Sequence, residues 1–365
     1  MNGREIFLRT FDFEYTDRPL KWETPGIWSA TRKRWITEGY DENIRGRAFF
    51  EYFHMEAPVF LPFKGGWTGN PYYPMFEKNT IFDDGINVTH LDKDGIIKKE
   101  RKKDPDTSMP QFLKFPVENR KQYEKDIRHR MDYRSDGRFP DDFKQLIMEY
   151  ETRTVPLGMY IIGPFGYLRN LLGDENLMYT LFDDQEFIHM IMNDWMEFYL
   201  GFIEKVCQSV IPDFVMVWED ICYNMGPLIS PLQFETFMSP YLTIVINKIR
   251  QMNIKGIIVD TDGNCASMLP VYVRCGANGF YPFEVQAGMD IVEIRKQYKE
   301  NFVIIGGIDK KALAKDEQAI MNEVDKKVPF MLHSKGYIPM LDHTVPPDVP
   351  FKNFVFFIEY IRKYY

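Results

Sequence analysis

From about residue 155 onward, short apolar runs alternate with longer amphipathic ones, and nothing else in the sequence restricts the fold so tightly. The runs are VPLGMYIIG (155 to 163), FVMVWED (214 to 220), GIIVDTD (256 to 262), GFYPFE (279 to 284), FVIIGGID (302 to 309) and GYIPMLDH (336 to 343). Between them lie segments with helical spacing. In SPLQFETFMSPYLTIVINKIRQMN, Ser230 suits a helix N-cap and Pro231 the first helical position, where its missing N–H would have no partner anyway. GMDIVEIRKQYKE and DKKALAKDEQAIMNEVDKKV read the same way. This alternation specifies βα units on a parallel sheet, and eight of them close a (β/α)8 TIM barrel, an α/β fold.

The first 150 residues read differently. Turn signals at FDDG (82 to 85) and DKDG (92 to 95) flank β-prone runs such as INVTHL, which predicts small hairpins. FKGGWTGNPYYPMF (63 to 76) is a loop by its Gly and Pro content, and its aromatic residues suit a lid over a pocket or surface packing. The expected organisation is one barrel domain over residues 1–365. Residues 1–150 form an N-terminal part with hairpins and aromatic loops, and residues 151–365 carry the regular repeats and the active-site mouth. With 365 residues, 45% of them hydrophobic, the chain can bury a core of that size.

The ends of the runs carry the chemistry. Five successive candidate strands finish in ionisable residues: Glu219 and Asp220, Asp260 and Asp262, Glu284, Asp309, then Asp342 with His343. All strand C-termini of a βα barrel open on one face, so these groups converge there. Any one of them alone reads as well as a helix N-cap. Carboxylates gathered in one cavity raise each other's pKa unless something positive joins them, such as a divalent metal, a Lys or Arg, or a cationic substrate. Lys310, directly after Asp309, supplies part of that balance.

Asp260 and Asp262, two apart on an extended strand, point to the same side. With His343 they form a candidate metal site of two oxygens and one nitrogen with open positions for substrate. The competing reading has the two aspartates bind hydroxyl or amine groups of the substrate directly. The expected catalytic residues are His343, Glu219, Asp260 and Asp262. Asp220, Tyr281, Glu284, Asp309, Asp342 and Arg169 are expected to bind substrate, with packing as the alternative for Tyr281 and an ion pair for Arg169.

Several classes are disfavoured. A formal net charge of -8 speaks against nucleic acid or an anionic membrane surface as partner. The one dense basic run, Lys98 to Lys103, reads as a solvated face. The charged start and the lack of a long apolar stretch predict a cytoplasmic protein with no membrane span. Cys207, Cys222, Cys265 and Cys275 have no metal or disulfide spacing and read as buried thiols. His54, His90, His129, His189 and His333 read as surface or half-buried histidines, and no nicotinamide or flavin signal is present.

The segments WEDICYNMGPLISP, VDTDGN, PFEVQAGMD, GGIDKKALA and LDHTVPPDVPFKN resemble the uroporphyrinogen decarboxylase superfamily, which includes methyltransferases that move methyl groups to or from corrinoid cofactors. DRPLKWE, RWITEGY and MPQFLKFPVENR are similar to a less characterised branch of it. The resemblance covers nearly the whole chain and implies a barrel with its pocket at the strand C-termini. Decarboxylases of the family carry an N-terminal F-M-R-Q-A-G-R motif whose arginines meet the substrate carboxylates. The corresponding ETPGIWSATRKRW has none, the decarboxylase Tyr falls near Leu171, and His343 alone matches a decarboxylase active-site position.

In the methyltransferases, zinc is held by H-x-C-G and a later Cys. Here Asp260-Thr261-Asp262-Gly263 stands at the first place and His343 at or next to the second. The exchange of soft for hard ligands shifts the expected ion toward oxygen-loving metals or a weaker zinc site. The chain has no D-x-H-x-x-G cobalamin motif, so the resemblance implies a corrinoid supplied by a separate partner protein. The expected function is methyl transfer from a small methoxylated or methylated compound to that corrinoid. The alternatives are a decarboxylase or lyase of a small or tetrapyrrole carboxylic acid, and a barrel that binds ligand without catalysis; a homodimer is one assembly the reading allows.

Overall fold

Each apolar run of the C-terminal half becomes a short strand whose side chains alternate between two sides. The computed structural model describes residues 1–64, 69–103 and 109–365. Its strands are β1 (Val59–Phe60), β2 (Asn79–Asp83), β3 (Asn87–Leu91), β4 (Ile97–Arg101), β5 (Gln111–Lys114), β6 (Leu157–Ile162), β7 (Phe214–Trp218), β8 (Cys222–Tyr223), β9 (Gly226–Pro227), β10 (Gly256–Asp260), β11 (Gly279–Tyr281), β12 (Val303–Ile305) and β13 (Tyr337–Ile338). Among the described residues, β1, β6, β7, β10, β11, β12 and β13 form one curled parallel sheet in that order.

Parity along these strands divides the core. Phe214, Met216, Ile258, Val303, Ile305, Ile338 and Met340 face the barrel interior. Their neighbours Val215, Val217, Ile257, Val259, Phe280 and Ile304 join the shell between sheet and helices. The bottom of the interior is plugged by Ile6, Phe7 and Phe11 of the amphipathic helix Gly3–Phe11. The ring of Phe7 packs on Phe214 with centroids 5.1 Å apart.

Seven strands stand where eight repeats were expected, and the eighth position goes to an irregular segment. Residues 20–24 run between β13 and the entry to β1: the Leu341 N–H donates to the Glu23 carbonyl (2.9 Å) and the Glu56 N–H to the Lys21 carbonyl (2.6 Å). Leu20 and Trp22 of this segment fill the interior. Its Glu23 carboxylate is wholly buried and meets Arg362 Nε at 2.8 Å. The N-terminal part therefore contributes β1 and the closing segment to the barrel.

The helices follow the sequence with two breaks. Ser230 caps Pro231–Phe237 in a capping box with Gln233. Pro240 lacks the N–H a continuous helix would need, and a second helix, Ser239–Gln251, starts there. The acidic-basic segment after Asp309 likewise divides into Lys310–Leu313 and Glu317–His333, the second capped by Asp316.

The predicted hairpins form an antiparallel sheet of β2 to β5. Asp84 and Asp92 fold the turns by accepting backbone N–H groups two to four residues on. The basic run lies on and after β4, half-buried to exposed. His90, expected at or near the surface, is buried between strands with Nε2 3.5 Å from Glu100. All four cysteines are free thiols, three of them buried. Among the described residues no helix is long and apolar enough to cross a membrane.

Candidate functional site

Register sets the level of the mouth. Ile162 pairs with Trp218, Trp218 with Asp260 and Asp260 with Tyr281, so the strand ends of β6, β7, β10 and β11 stand side by side. Asp260 continues the inward parity of Ile258, and Tyr281 stands beside it stacked on Trp22, with centroids 6.3 Å apart and rings 5° from parallel. Tyr160, inward on β6, lies near enough to Asp260 for the carboxylate to raise its phenol pKa further, after burial. Burial pushes the Asp260 carboxyl well above its ordinary value, and the charges of Asp262 and Asp220 add to the shift with no cation opposing them.

Just beyond the strand, the chain turns at Gly263, whose φ of +75° suits glycine and where a Cβ would stand 2.7 Å from the Tyr223 carbonyl oxygen. The turn brings Asp262 to His343, with Oδ2 3.3 Å from Nε2. The His343 side chain is 26% exposed and that of Asp262 41%. Trp28 stacks on the imidazole at 5.7 Å and 25°. Burial pulls the His343 pKa down, but the hydrogen bond and charge of Asp262 outweigh it, and the net value lies above that of an ordinary histidine.

Further groups were expected in the same cleft. Glu284 accepts the Gly263 N–H at 3.1 Å and meets Lys310 Nζ at 3.2 Å. Asp342, with no exposed surface, accepts the N–H groups of Val285 (2.9 Å) and Lys310 (3.0 Å), and its Oδ2 lies 3.4 Å from Lys310 Nζ. Burial keeps its pKa raised although Lys310 and the two N–H groups oppose the shift. Lys310 thus supplies the positive charge expected of it and is shared by two carboxylates. Arg169 forms an ion pair: NH2 meets Asp220 Oδ2 at 2.8 Å and NH1 the Asp220 carbonyl at 2.8 Å.

Two expected site residues do other work. Glu219 follows the outward parity of Val215 and Val217, which sends it behind the sheet. Its Oε2 accepts the N–H groups of Phe165 (3.0 Å) and Gly166 (3.1 Å) at the start of helix Pro164–Leu172, and it has no solvent access. Its oxygen satisfies N–H groups that a helix start leaves without partners within the helix, so Glu219 anchors a helix. Asp309 accepts the Lys311 N–H at 2.8 Å as the N-cap of Lys310–Leu313 and both Gln286 contacts at 3.1 Å. It is the capping alternative realised.

Burial raises the Glu219 pKa to about 8, against the opposing N–H groups of Gly166 and Phe165, the Tyr272 hydroxyl and Arg169. A carboxyl with a folded pKa above its unfolded value of about 4.3 holds a proton that the unfolded chain has released. Stability is therefore lost as pH rises through that window. Glu219→Gln keeps an acceptor for both N–H groups and cannot ionise. The variant's Tm relative to the parent should climb from about pH 5 to about pH 8 and then level off. A difference that stays flat across this range would show that Glu219 is ionised in the fold.

The metal reading does not fit these side chains. Among the described residues no group of three or more His, Cys, Asp or Glu side chains is gathered closely enough to hold an ion. His343 turns Nε2 to Asp262. The candidate lid, residues 63–76, borders a cavity of about 760 Å³ through Phe63, Lys64, Gly69, Tyr73, Met75 and Phe76; its residues 65–68 lie outside the described residues. Phe60 and Tyr160 also face this cavity, and Tyr160 joins it to Asp260. Trp22, Trp28 and Tyr160 were not singled out from the sequence. Tyr160 alone carried a local signal, as the one polar-tipped residue of its apolar run.

The sequence model of the uroporphyrinogen decarboxylase (URO-D) family matches residues 106–364. Among solved structures, a methyltransferase from Methanosarcina mazei is similar with a TM-score of 0.65 at 13% identity, over 100% of this chain and 99% of that one. That likeness is one of fold. A B12-independent methionine synthase from Shewanella sp. W3-18-1 in complex with selenomethionine matches 62% of this chain and 68% of its own at 11% identity, with a TM-score of 0.29, too low to argue from. No curated protein matches the chain.

Proposed function

Because the chain belongs to the uroporphyrinogen decarboxylase family and folds as a TIM-barrel enzyme, we propose that it transfers a methyl group from a small O- or N-methyl compound to a reduced corrinoid carried by a partner protein. The observation that carries this reading is the His343–Asp262 pair at the cleft, an imidazole whose proton-bearing form is favoured by the carboxylate beside it. The corrinoid enters as the second substrate, the methyl acceptor.

The acceptor's electron pair attacks the methyl carbon, the bond from that carbon to the heteroatom breaks, and its electrons stay on the heteroatom. An alkoxide or amide is a poor leaving group, so a proton must arrive as the bond breaks. With Nε2 committed to Asp262, His343 gives the proton from Nδ1. Asp262 orients the ring and stabilises its charged form, and Trp28 fixes its plane. Asp260, without an opposing cation, accepts a hydrogen bond from the donor or pairs with its positive charge.

The charge pattern disfavours a tetrapyrrole with several carboxylates. Of the cations at the mouth, Arg169 is committed to Asp220, and Lys310 to Glu284 and Asp342. An assay of the purified protein with reduced corrinoid protein and a panel of methoxylated and methylated compounds tests the reading, with corrinoid methylation followed by absorbance. At least one donor should methylate the corrinoid. Carbon dioxide release from a carboxylic acid in a corrinoid-free assay, with no methyl transfer, would replace this reading by a carboxy-lyase in which His343 protonates the carbon.

A further inference from the structure

We infer that a second cavity, set behind the mouth, binds a short-chain organic acid through two arginines, Arg32 and Arg45. The cavity measures about 280 Å³, close to the lower bound of about 300 Å³ for ligand sites. Helix Ser29–Thr37, the loop after it and helix Arg47–Tyr52 line it together with residues 25–27. Ile27 bridges to Val345 and lines the cavity, while Trp28, the next residue, stacks on His343. Successive side chains of an extended chain point to opposite sides. The segment therefore stands between this cavity and the cleft of His343.

The charged residues that line the cavity are Arg32 and Arg45, with no acid among them. Both donate to one oxygen, the Glu42 carbonyl: Arg32 through Nη2, and Arg45 through Nε at 3.2 Å. Arg32 Nε also reaches the Ile44 carbonyl at 3.4 Å. These bonds hold the two guanidinium groups together and leave Nη1 of Arg32 and both Nη atoms of Arg45 without a partner among the described residues. The acids nearby are turned elsewhere: Asp41 accepts from Asn43, Glu38 meets Arg34, and Glu51 lies by Arg47. Glu42 offers the pair its carbonyl and no carboxylate contact. Two positive charges gathered at one carbonyl repel each other, and an anion bound between them relieves that repulsion.

The remaining walls are apolar. Tyr40 and Phe49 are buried, Ile27, Ile44 and Phe50 half-buried, and the Tyr40 hydroxyl is already spent on the Ile44 carbonyl at 3.3 Å. A ligand that satisfies both parts has one anionic end and a hydrocarbon body. The planar pair of oxygens of a carboxylate matches the fork of a guanidinium. A bare anion leaves the apolar walls uncovered, and an alcohol leaves the arginines unpaired, so neither should bind as well as the acid.

Calorimetric titration of the full chain with hexanoate, hexan-1-ol, acetate and inorganic phosphate tests the site. Hexanoate should bind at least about tenfold tighter than each of the others. Arg45 is exposed, and Arg45→Met should bring hexanoate down to the level of hexan-1-ol. Phe50→Ala should bring hexanoate toward acetate and leave acetate unchanged. His343→Gln should bind hexanoate as the parent does. Equal binding of hexanoate and hexan-1-ol, or an affinity that survives Arg45→Met, overturns the site. Tighter binding of phosphate than of hexanoate overturns the assigned ligand class, and a loss in His343→Gln but not in Arg45→Met places the acid in the cleft and overturns the second site.

Discussion

His343→Gln should lower methyl transfer by about 10²- to 10⁴-fold, the usual contribution of a positioned general acid. Glutamine fills much of the imidazole's place beside Trp28 and Asp262 but has no proton to give at neutral pH. The loss should fall on turnover, with donor affinity changed little. Asp262→Asn separates the two roles of the pair. Burial alone pulls the imidazole down and Asp262 lifts it, so removing the carboxylate charge should bring the His343 pKa below its present raised value. The proton-bearing form is lost as pH rises through that pKa, and the alkaline limb of the rate profile should move to lower pH. NMR titration of the His343 ring reads the same shift without any substrate. A ring pKa unchanged in Asp262→Asn would remove the pair from the mechanism.

Lys310→Met should destabilise the fold by about 3–5 kcal/mol at pH 8, because it leaves the carboxylates of Glu284 and buried Asp342 without their shared cation. The pH dependence has a fixed sign. The folded pKa of Asp342 is already raised by burial, so it loses stability as pH rises from its unfolded value of about 3.9 toward the folded one. Without Lys310 the folded value rises further and the window extends upward. The deficit of the variant should therefore be smaller at pH 5 than at pH 8, as read by urea unfolding at both. Asp342→Asn combined with Lys310→Met should recover most of the deficit at pH 8. A deficit independent of pH would mean that lost packing, not charge, is responsible.

The barrel was legible because its signal is local. Each strand of the C-terminal half announces itself as an apolar run of four or more residues, and the convergence of Asp260, Asp262, Glu284, Asp342 and His343 follows from where those runs stop. What misled was parity. Glu219 and Asp220 are adjacent, so they lie on opposite sides, and the outward course of Val215 and Val217 assigns Glu219 to the helix layer. Asp309 was ambiguous for another reason: a carboxylate two residues before an open N–H satisfies a helix start as readily as a ligand. Trp22 and Trp28 lay beyond local inspection, since Trp28 meets His343 across 315 positions of sequence in a segment with no periodicity. The closing role of residues 20–24 was hidden by the same irregularity.

That closing segment has a consequence for the order of events during folding. Contacts between distant parts of a chain form late because the intervening loop must first be restrained. Glu23 finds its ionic partner in Arg362, 339 positions away. On a ribosome residues 20–24 would thus wait for Arg362 to emerge before the ring of strands could seal, and the hollow would be born only then.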